Sequence, residues 1–360
     1  LIDLPRINYD ANGENGSLLL EPSRQQLLPQ SEYFNTWTTL NDVTITANST
    51  TSPEGVINAS LMSVSGAGSS SRSIRQGSQS TSTDIKTMSV FAKANTADYI
   101  QLFHSGDAQG YVNFDLASGV VGTSGTNGTG DIEPMGNDWY RCIATFDSVG
   151  NFGSSVYVGF ATSASAAYGG GSISDTSLSV YIFAAQYEIG SYVSSYIPNH
   201  GTSGGVTRAA DSCSVTGVSD VIGQTEGTMF LDFVYNGKSN ITADNLNLAL
   251  GTWPSNIITI GQYNATLYAR IYASSVINFF QTFGVMTIGQ RYKCAIAYAN
   301  NDAVFYVNGA LEGSDTSVIV PAVSSVSLNR GVYENSKQIN QALLFKTRLS
   351  NEELAALTTL

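Results

Sequence analysis

With 360 residues the chain is long enough for two domains of ordinary size, each with a core of its own. Only 12% of it is charged and 42% is hydrophobic, with 35 Gly, 19 Tyr and 15 Phe, the profile of an all-β protein with neutral, hydroxyl-rich surfaces. A net charge of -12 argues against a nucleic-acid partner, which clustered Lys and Arg would have to hold, and no run of about 18 apolar residues offers itself to a membrane.

Residues 1–30 show little strand pattern until Ser17-Leu18-Leu19-Leu20-Glu21-Pro22, where Pro22 cuts an apolar triplet. They are expected to run as an arm over the first domain, with a short edge strand. The opening Leu1-Ile2-Asp3, without an initiator Met, is read as that of a fragment whose leader or upstream shaft is missing. Val43 to Thr51 and Ala59 to Val64 alternate around the turn Pro53-Glu54-Gly55. Lys86 to Lys93, Tyr99 to His104, Gly110 to Leu116, Trp139 to Phe146, Ser154 to Ala161 and Leu178 to Gln186 follow as strands at short intervals, which is the spacing of a β-sandwich.

Period two assigns the faces. Ile100, Leu102, Val112, Phe114, Val156, Val158 and Phe160 point into the core, which throws Tyr99, Gln101, Phe103, Tyr111, Asn113 and Tyr157 outward. An aromatic ring stacks on the C–H face of a sugar while amides and Arg meet its hydroxyls. Tyr99, Gln101, Tyr111, Asn113, Arg141 and Tyr157 are therefore the candidate glycan-binding residues. The alternative is that Tyr, a good strand former, serves only cross-strand packing. Trp139 reads as a core residue rather than a platform.

Tyr181 to Glu188 closes the first sheet system, Gly190 ends it, and Ser191 to Ile197 reads as a second extended run stopped by Pro198. A Gly-rich connection follows. The run Ala185-Gln186-x-Glu188-x-Gly190-Ser191, then Ser195-Tyr196-Ile197-Pro198 and Thr207-Arg208-x-Ala210-Asp211, resembles the seam of bacteriophage tail-fibre and head-fibre proteins. In that group a carbohydrate-binding-module-like jelly roll precedes a concanavalin A-like (laminin G-like) sandwich. Pro5 to Tyr9, Leu18 to Pro22 and Leu27 to Glu32 resemble the same group's lead-in.

Beyond the seam, Gly227 to Phe233 opens a second sandwich that continues through Leu246 to Leu250, Ile257 to Tyr263, Thr266 to Ala273 and Val276 to Phe283. Tyr292 to Tyr298 and Ala303 to Val307 form a hairpin across Ala299 to Asp302, and Asn308-Gly309 is a strong turn signal. The pair resembles the strands ending in Tyr-Val-Asn-Gly of laminin G and concanavalin A-like domains. Asn340 to Phe345 reads as the last strand, and Leu349 to Leu357 as a short helix with Ser350 and Glu353 at capping-box spacing. Cys142 and Cys294 sit mid-strand among apolar neighbours and read as buried free thiols.

Glycosidases of the concanavalin A-like kind need two carboxylates flanking a glycosidic bond, and no Glu-x-Asp-x-x-Glu strand exists here. His104 and His200 are the two histidines, neither spaced for zinc or a Ser-His-Asp triad. The chain is read as no enzyme. Structural calcium is the cofactor left open, because jelly rolls and laminin G-like domains bind it with scattered oxygens. Glu21 and Glu188 are the acids to inspect for metal, with pairing to an Arg or a backbone N–H as the alternative.

The expected architecture is all-β, two β-sandwich domains (jelly roll plus concanavalin A-like sandwich) with a short C-terminal helix. Residues 1–30 form the arm, 31–198 the jelly roll, 199–212 a linker and 213–360 the second sandwich. The expected function is that of a non-catalytic glycan-binding adhesion protein of a phage fibre or similar surface appendage, on the virion surface or extracellular. Its partners would be a cell-surface or extracellular glycan and copies of itself, a trimer in a fibre, with no nucleic acid and no membrane insertion. Two readings from other classes stand beside it: a purely structural virion or decoration module, and an accessory carbohydrate-binding module of a secreted polysaccharide-degrading enzyme.

Overall fold

The computed structural model describes residues 6–9, 16–66, 71–77, 84–147, 153, 155–211, 213–237, 244–330 and 336–360. Strands dominate, as the alternation requires, and the chain divides into two compact units, Arg24–Arg208 and Leu1–Ser23 with Ala209–Leu360.

The unit Arg24–Arg208 is a sandwich of two six-stranded antiparallel sheets. One runs in the order Val120–Ser124, Tyr111–Asp115, Tyr99–His104, Ser155–Phe160, Ser73–Gly77, Thr38–Leu40. The other runs Gly128–Pro134, Tyr140–Phe146, Lys86–Ala94, Ser179–Ile189, Ile57–Val64, Val43–Thr51. Ile100, Leu102, Val112, Phe114, Val156, Val158 and Phe160 of the first sheet meet Met88, Val90, Cys142, Ala144, Val180 and Ile182 of the second in one buried core. Val120–Ser124 and Gly128–Pro134 are strands that alternation did not announce: they are rich in Gly and Thr and lie at sheet edges, where little side-chain burial is demanded.

A bulge between Phe183 and Gln186, with Ala184 at φ 48°, shifts the register of Ser179–Ile189 against Lys86–Ala94. An extra residue reverses which side chains face inward. Before it Val180 and Ile182 enter the core, and after it Ala185 and Tyr187 do. Gln186 and Glu188 are thereby turned to the outer face. Ser191 to Ile197, expected as an extended strand, forms none.

The two units divide after Arg208. Val206–Arg208 pairs with Arg24–Gln26, and Asn199 is buried, donating to the Leu28 carbonyl at 2.8 Å. Residues 199–208 are thus built into the first unit, with His200 to Gly204 exposed. The N-terminal stretch is corrected as well: residues up to Ser23 belong to the second unit, not to the first domain's surface.

That second unit pairs a seven-stranded sheet, in the order Ile7–Asn8, Ser17–Leu20, Ser336–Phe345, Glu226–Gly237, Arg291–Ala299, Asp302–Val307, Ala310–Asp315, with a six-stranded one. The latter runs Cys213–Thr216, Ser325–Arg330, Asp244–Thr252, Asn256–Tyr263, Thr266–Ala273, Val276–Val285. Leu18, Leu19 and Leu20 pair with Ile339, Gln338 and Lys337, and Leu20 enters the core. Arg6 then bridges Glu21 and Asp211, while the Glu21 N–H donates to Asp211 at 2.8 Å. Asn308 (φ 49°) and Gly309 (φ 86°) form the left-handed turn of the Val307–Ala310 hairpin. The helix Asn351–Thr358 carries the capping box at Ser350 and Glu353, and Leu354 buries against Phe230, Ala295, Val304 and Tyr306. Cys142 and Cys294 are free and buried, and desolvation pushes both thiols well above their ordinary pKa. Cys213 is exposed.

Leu20→Ala removes a core side chain supplied by the N-terminal strand and is expected to cost about 2–5 kcal/mol. Amide exchange in Ser336–Phe345 should accelerate while that in Lys86–Ala94 stays unchanged.

Candidate functional site

The alternation of the first sandwich holds at the backbone. Tyr111, Phe103 and Tyr157 stand in one cross-strand row, Asn113, Gln101 and Gly159 in the next, and Asp115 faces Tyr99. What alternation does not give is the fate of that outer face. The segment 162–172 crosses it, and the two amides beneath are fully buried.

Gln101 Nε2 donates to Asn113 Oδ1 at 2.8 Å and to the Ala167 carbonyl at 3.0 Å, and its Oε1 accepts from the Gly169 N–H at 2.7 Å. Asn113 Nδ2 donates to the Ala166 carbonyl at 2.7 Å and the Thr123 carbonyl at 3.0 Å. Both donors of each amide are committed. Gln101 and Asn113 are therefore corrected from ligand contacts to anchors of a covering segment. Gly122 admits the segment, since a Cβ there would lie 2.2 Å from the Ala164 carbonyl oxygen.

The tyrosines divide. Phe103 and Tyr157 stack at 4.5 Å with an interplanar angle of 7°. Tyr168, from the covering segment, meets Phe103 edge-on at 5.1 Å and lies 6.2 Å from Tyr111. Its hydroxyl donates to the His104 carbonyl at 2.9 Å, and burial raises its pKa. Tyr111, Tyr157 and Tyr168 are each half-buried, so one side of this aromatic row is open. Arg75 lies in register beside Tyr157 and is half-buried too. Tyr99 sits apart, lining a depression of about 350 Å³ with Asp98, Asp175, Thr96 and Ser174. Sequence reasoning missed Tyr168; the signal was its position before Gly169-Gly170-Gly171, all at φ near 80°, which marks a tightly folded loop rather than a spacer.

Arg141 is on the other sheet, within Tyr140–Phe146. It is buried, lies over the Phe91 ring at 5.5 Å, and donates to the Ser194 carbonyl at 2.7 Å. It is thus not part of the tyrosine face. Glu188, beside it, accepts from the Ser194 N–H and hydroxyl, both at 2.7 Å, and from Gln186 Nε2 at 2.8 Å, with Arg24 Nε at 3.4 Å. Glu21 is held by Arg6. Each acid inspected for metal is paired within its own unit, and among the described residues no three His, Cys, Asp or Glu side chains cluster as a metal site would require. Trp139 is buried and donates to the Thr51 carbonyl at 3.1 Å.

No family model matches the chain, and no curated protein does. Solved structures similar to parts of it include a CBM40 of Ruminococcus gnavus IT-sialidase bound to α2,3-sialyllactose, with a TM-score of 0.31, 16% identity, and coverage of 41% of this chain and 96% of that one. A SAP-like pentraxin from Limulus polyphemus gives 0.28, 12%, 36% and 68% for the same quantities. The binding domain of botulinum neurotoxin serotype D gives 0.35, 12%, 41% and 40%. Likenesses of this grade carry nothing about what this chain binds.

Gln101→Ala leaves the Gly169 N–H and the Ala167 carbonyl without their buried partners, at an expected cost of about 1–3 kcal/mol. The measurement is amide exchange at Gly169, which should quicken well before that of the strands beneath.

Proposed function

We propose that the chain is a non-catalytic glycan-binding protein of a phage fibre or a comparable surface appendage, acting on the virion surface or outside the cell. The observation that carries this reading is the half-open aromatic row of Tyr111, Tyr168 and Tyr157 stacked on Phe103. Rings fixed against one another and braced by the Tyr168 hydroxyl form a platform that loses little freedom on binding. Arg75 beside Tyr157 supplies donors for sugar hydroxyls.

Asp232, one of the acids within strands of the second sandwich, is bound by Arg291 at 2.8 Å and Asn340 at 3.0 Å. Burial works to raise its pKa, but these partners outweigh burial and keep it ionised below the usual carboxylate range. A carboxylate so held is a poor general acid. Weak single sites would gain strength by repetition in a trimer or along a particle.

The test is a glycan array probed with the intact chain and with Tyr157→Ala and Tyr111→Ala. One saccharide class should be retained by the intact chain and bound about tenfold more weakly by Tyr157→Ala, the loss of about 1.4 kcal/mol that one aromatic contact supplies at its upper range. Silence across a broad panel would favour the structural decoration module. Release of shortened glycan from the array would favour an enzyme.

A further inference from the structure

The second sandwich has an outer face of its own. In Thr266–Ala273, reading TLYARIYA, Leu267, Ala269 and Ile271 enter the core, which leaves Tyr268, Arg270 and Tyr272 outside. Two of their cross-strand neighbours on Asn256–Tyr263 are small, Gly261 opposite Tyr268 and Thr259 opposite Arg270, while Ile257 stands opposite Tyr272. Tyr268 and Arg270 therefore lie down over small residues. A Cβ on Gly261 would come within 2.5 Å of the Tyr268 hydroxyl.

Arg270 is 7% exposed, and its guanidinium carbon lies 4.3 Å from the Trp253 ring centre, 4.6 Å from Tyr268 and 5.3 Å from Tyr272. Such a cage fixes a cation by its ring quadrupoles. Its Nη2 donates to the Tyr268 hydroxyl at 2.9 Å and to Asp244 Oδ2 at 3.3 Å, and the Tyr268 hydroxyl donates to Asp244 Oδ1 at 3.0 Å. Arg270 Nε, also buried, meets no acceptor among the described residues. An arginine kept with one N–H unanswered is a costly way to gain stability alone.

Above these groups lies a depression of about 310 Å³, the lower end of the range that small-molecule sites occupy. Tyr263 and Phe280 flank it, 49% and 51% exposed, and Thr266 and Thr282 also line it. Asp244 is presented at its edge with its side chain 37% exposed. A carboxylate has about four lone-pair sites, and Tyr268 and Arg270 take two of them.

We infer that this depression is a second saccharide site, independent of the tyrosine row of the first sandwich, and that it takes a neutral pyranose. The sugar's C–H face lies against Phe280, and adjacent hydroxyls donate to the remaining lone pairs of Asp244. The ligand is neutral because Asp244 already offsets the charge of Arg270, and a chain of net charge -12 repels acids.

Saturation-transfer NMR on the full chain tests this, with glucose, galactose, mannose, N-acetylglucosamine and glucuronate as probes. At least one neutral sugar should show transfer that survives 0.5 M salt, persists in Tyr157→Ala, and weakens at least tenfold in Phe280→Ala and in Asp244→Asn. Phe280 is half-exposed, so its truncation leaves the core intact, and an unchanged melting temperature confirms it. Transfer to none of the neutral sugars, transfer unaffected by Phe280→Ala, or a preference for glucuronate would each overturn the assignment. Loss in Tyr157→Ala alone would return all binding to the first sandwich.

Discussion

Backbone laid across the face of a sheet brings N–H and C=O groups that no neighbouring strand can satisfy, and the first sandwich depends on buried side-chain amides to meet them. Gln101 and Asn113 receive the segment 162–172 on one sheet. On the other, Gln186 Oε1 accepts from the Ile197 N–H at 2.7 Å, and Glu188 and Arg141 hold Ser194. Gln26 serves Leu28, Tyr187, Ala185 and Ile197 at once. Each is a buried polar residue.

The bulge in Ser179–Ile189 is what makes the second of these arrangements possible. By reversing the inward set it keeps Ala185 and Tyr187 in the core and turns Gln186 and Glu188 out, toward the chain that follows them. The stretch in which the family resemblance is densest, from Ala185 to Pro198, is therefore a folding device: its Glu, Gln and Ser hold each other and the backbone. That accounts for its composition without a ligand.

The two sandwiches treat their aromatic residues differently. In the first, Tyr168 is brought in by a loop and completes a row begun by Phe103 and Tyr157. In the second, Trp253, Tyr268 and Tyr272 close around Arg270, which the strand bearing the two tyrosines itself carries. Rings whose orientation is set before binding give up little entropy when a ligand arrives.

Local pattern carried far here. Alternation gave the inward residues of Tyr99–His104, Tyr111–Asp115 and Ser155–Phe160, Asn308-Gly309 marked a hairpin through two left-handed residues, and Ser350 with Glu353 marked the start of the helix, because each depends on groups a few residues apart. Three matters were settled only by the tertiary structure. Ser17–Leu20 found its partner in Ser336–Phe345, more than three hundred residues on, so the arm joined the second unit. Arg141 went to a different sheet from Tyr111 and Tyr157, since period two tells which side of its own strand a residue takes but not which sheet the strand joins. Gln101 and Asn113 pointed outward as read, yet another segment covered them. Direction relative to a strand is a short-range property of the pleat, whereas exposure depends on whatever distant chain comes to lie above it.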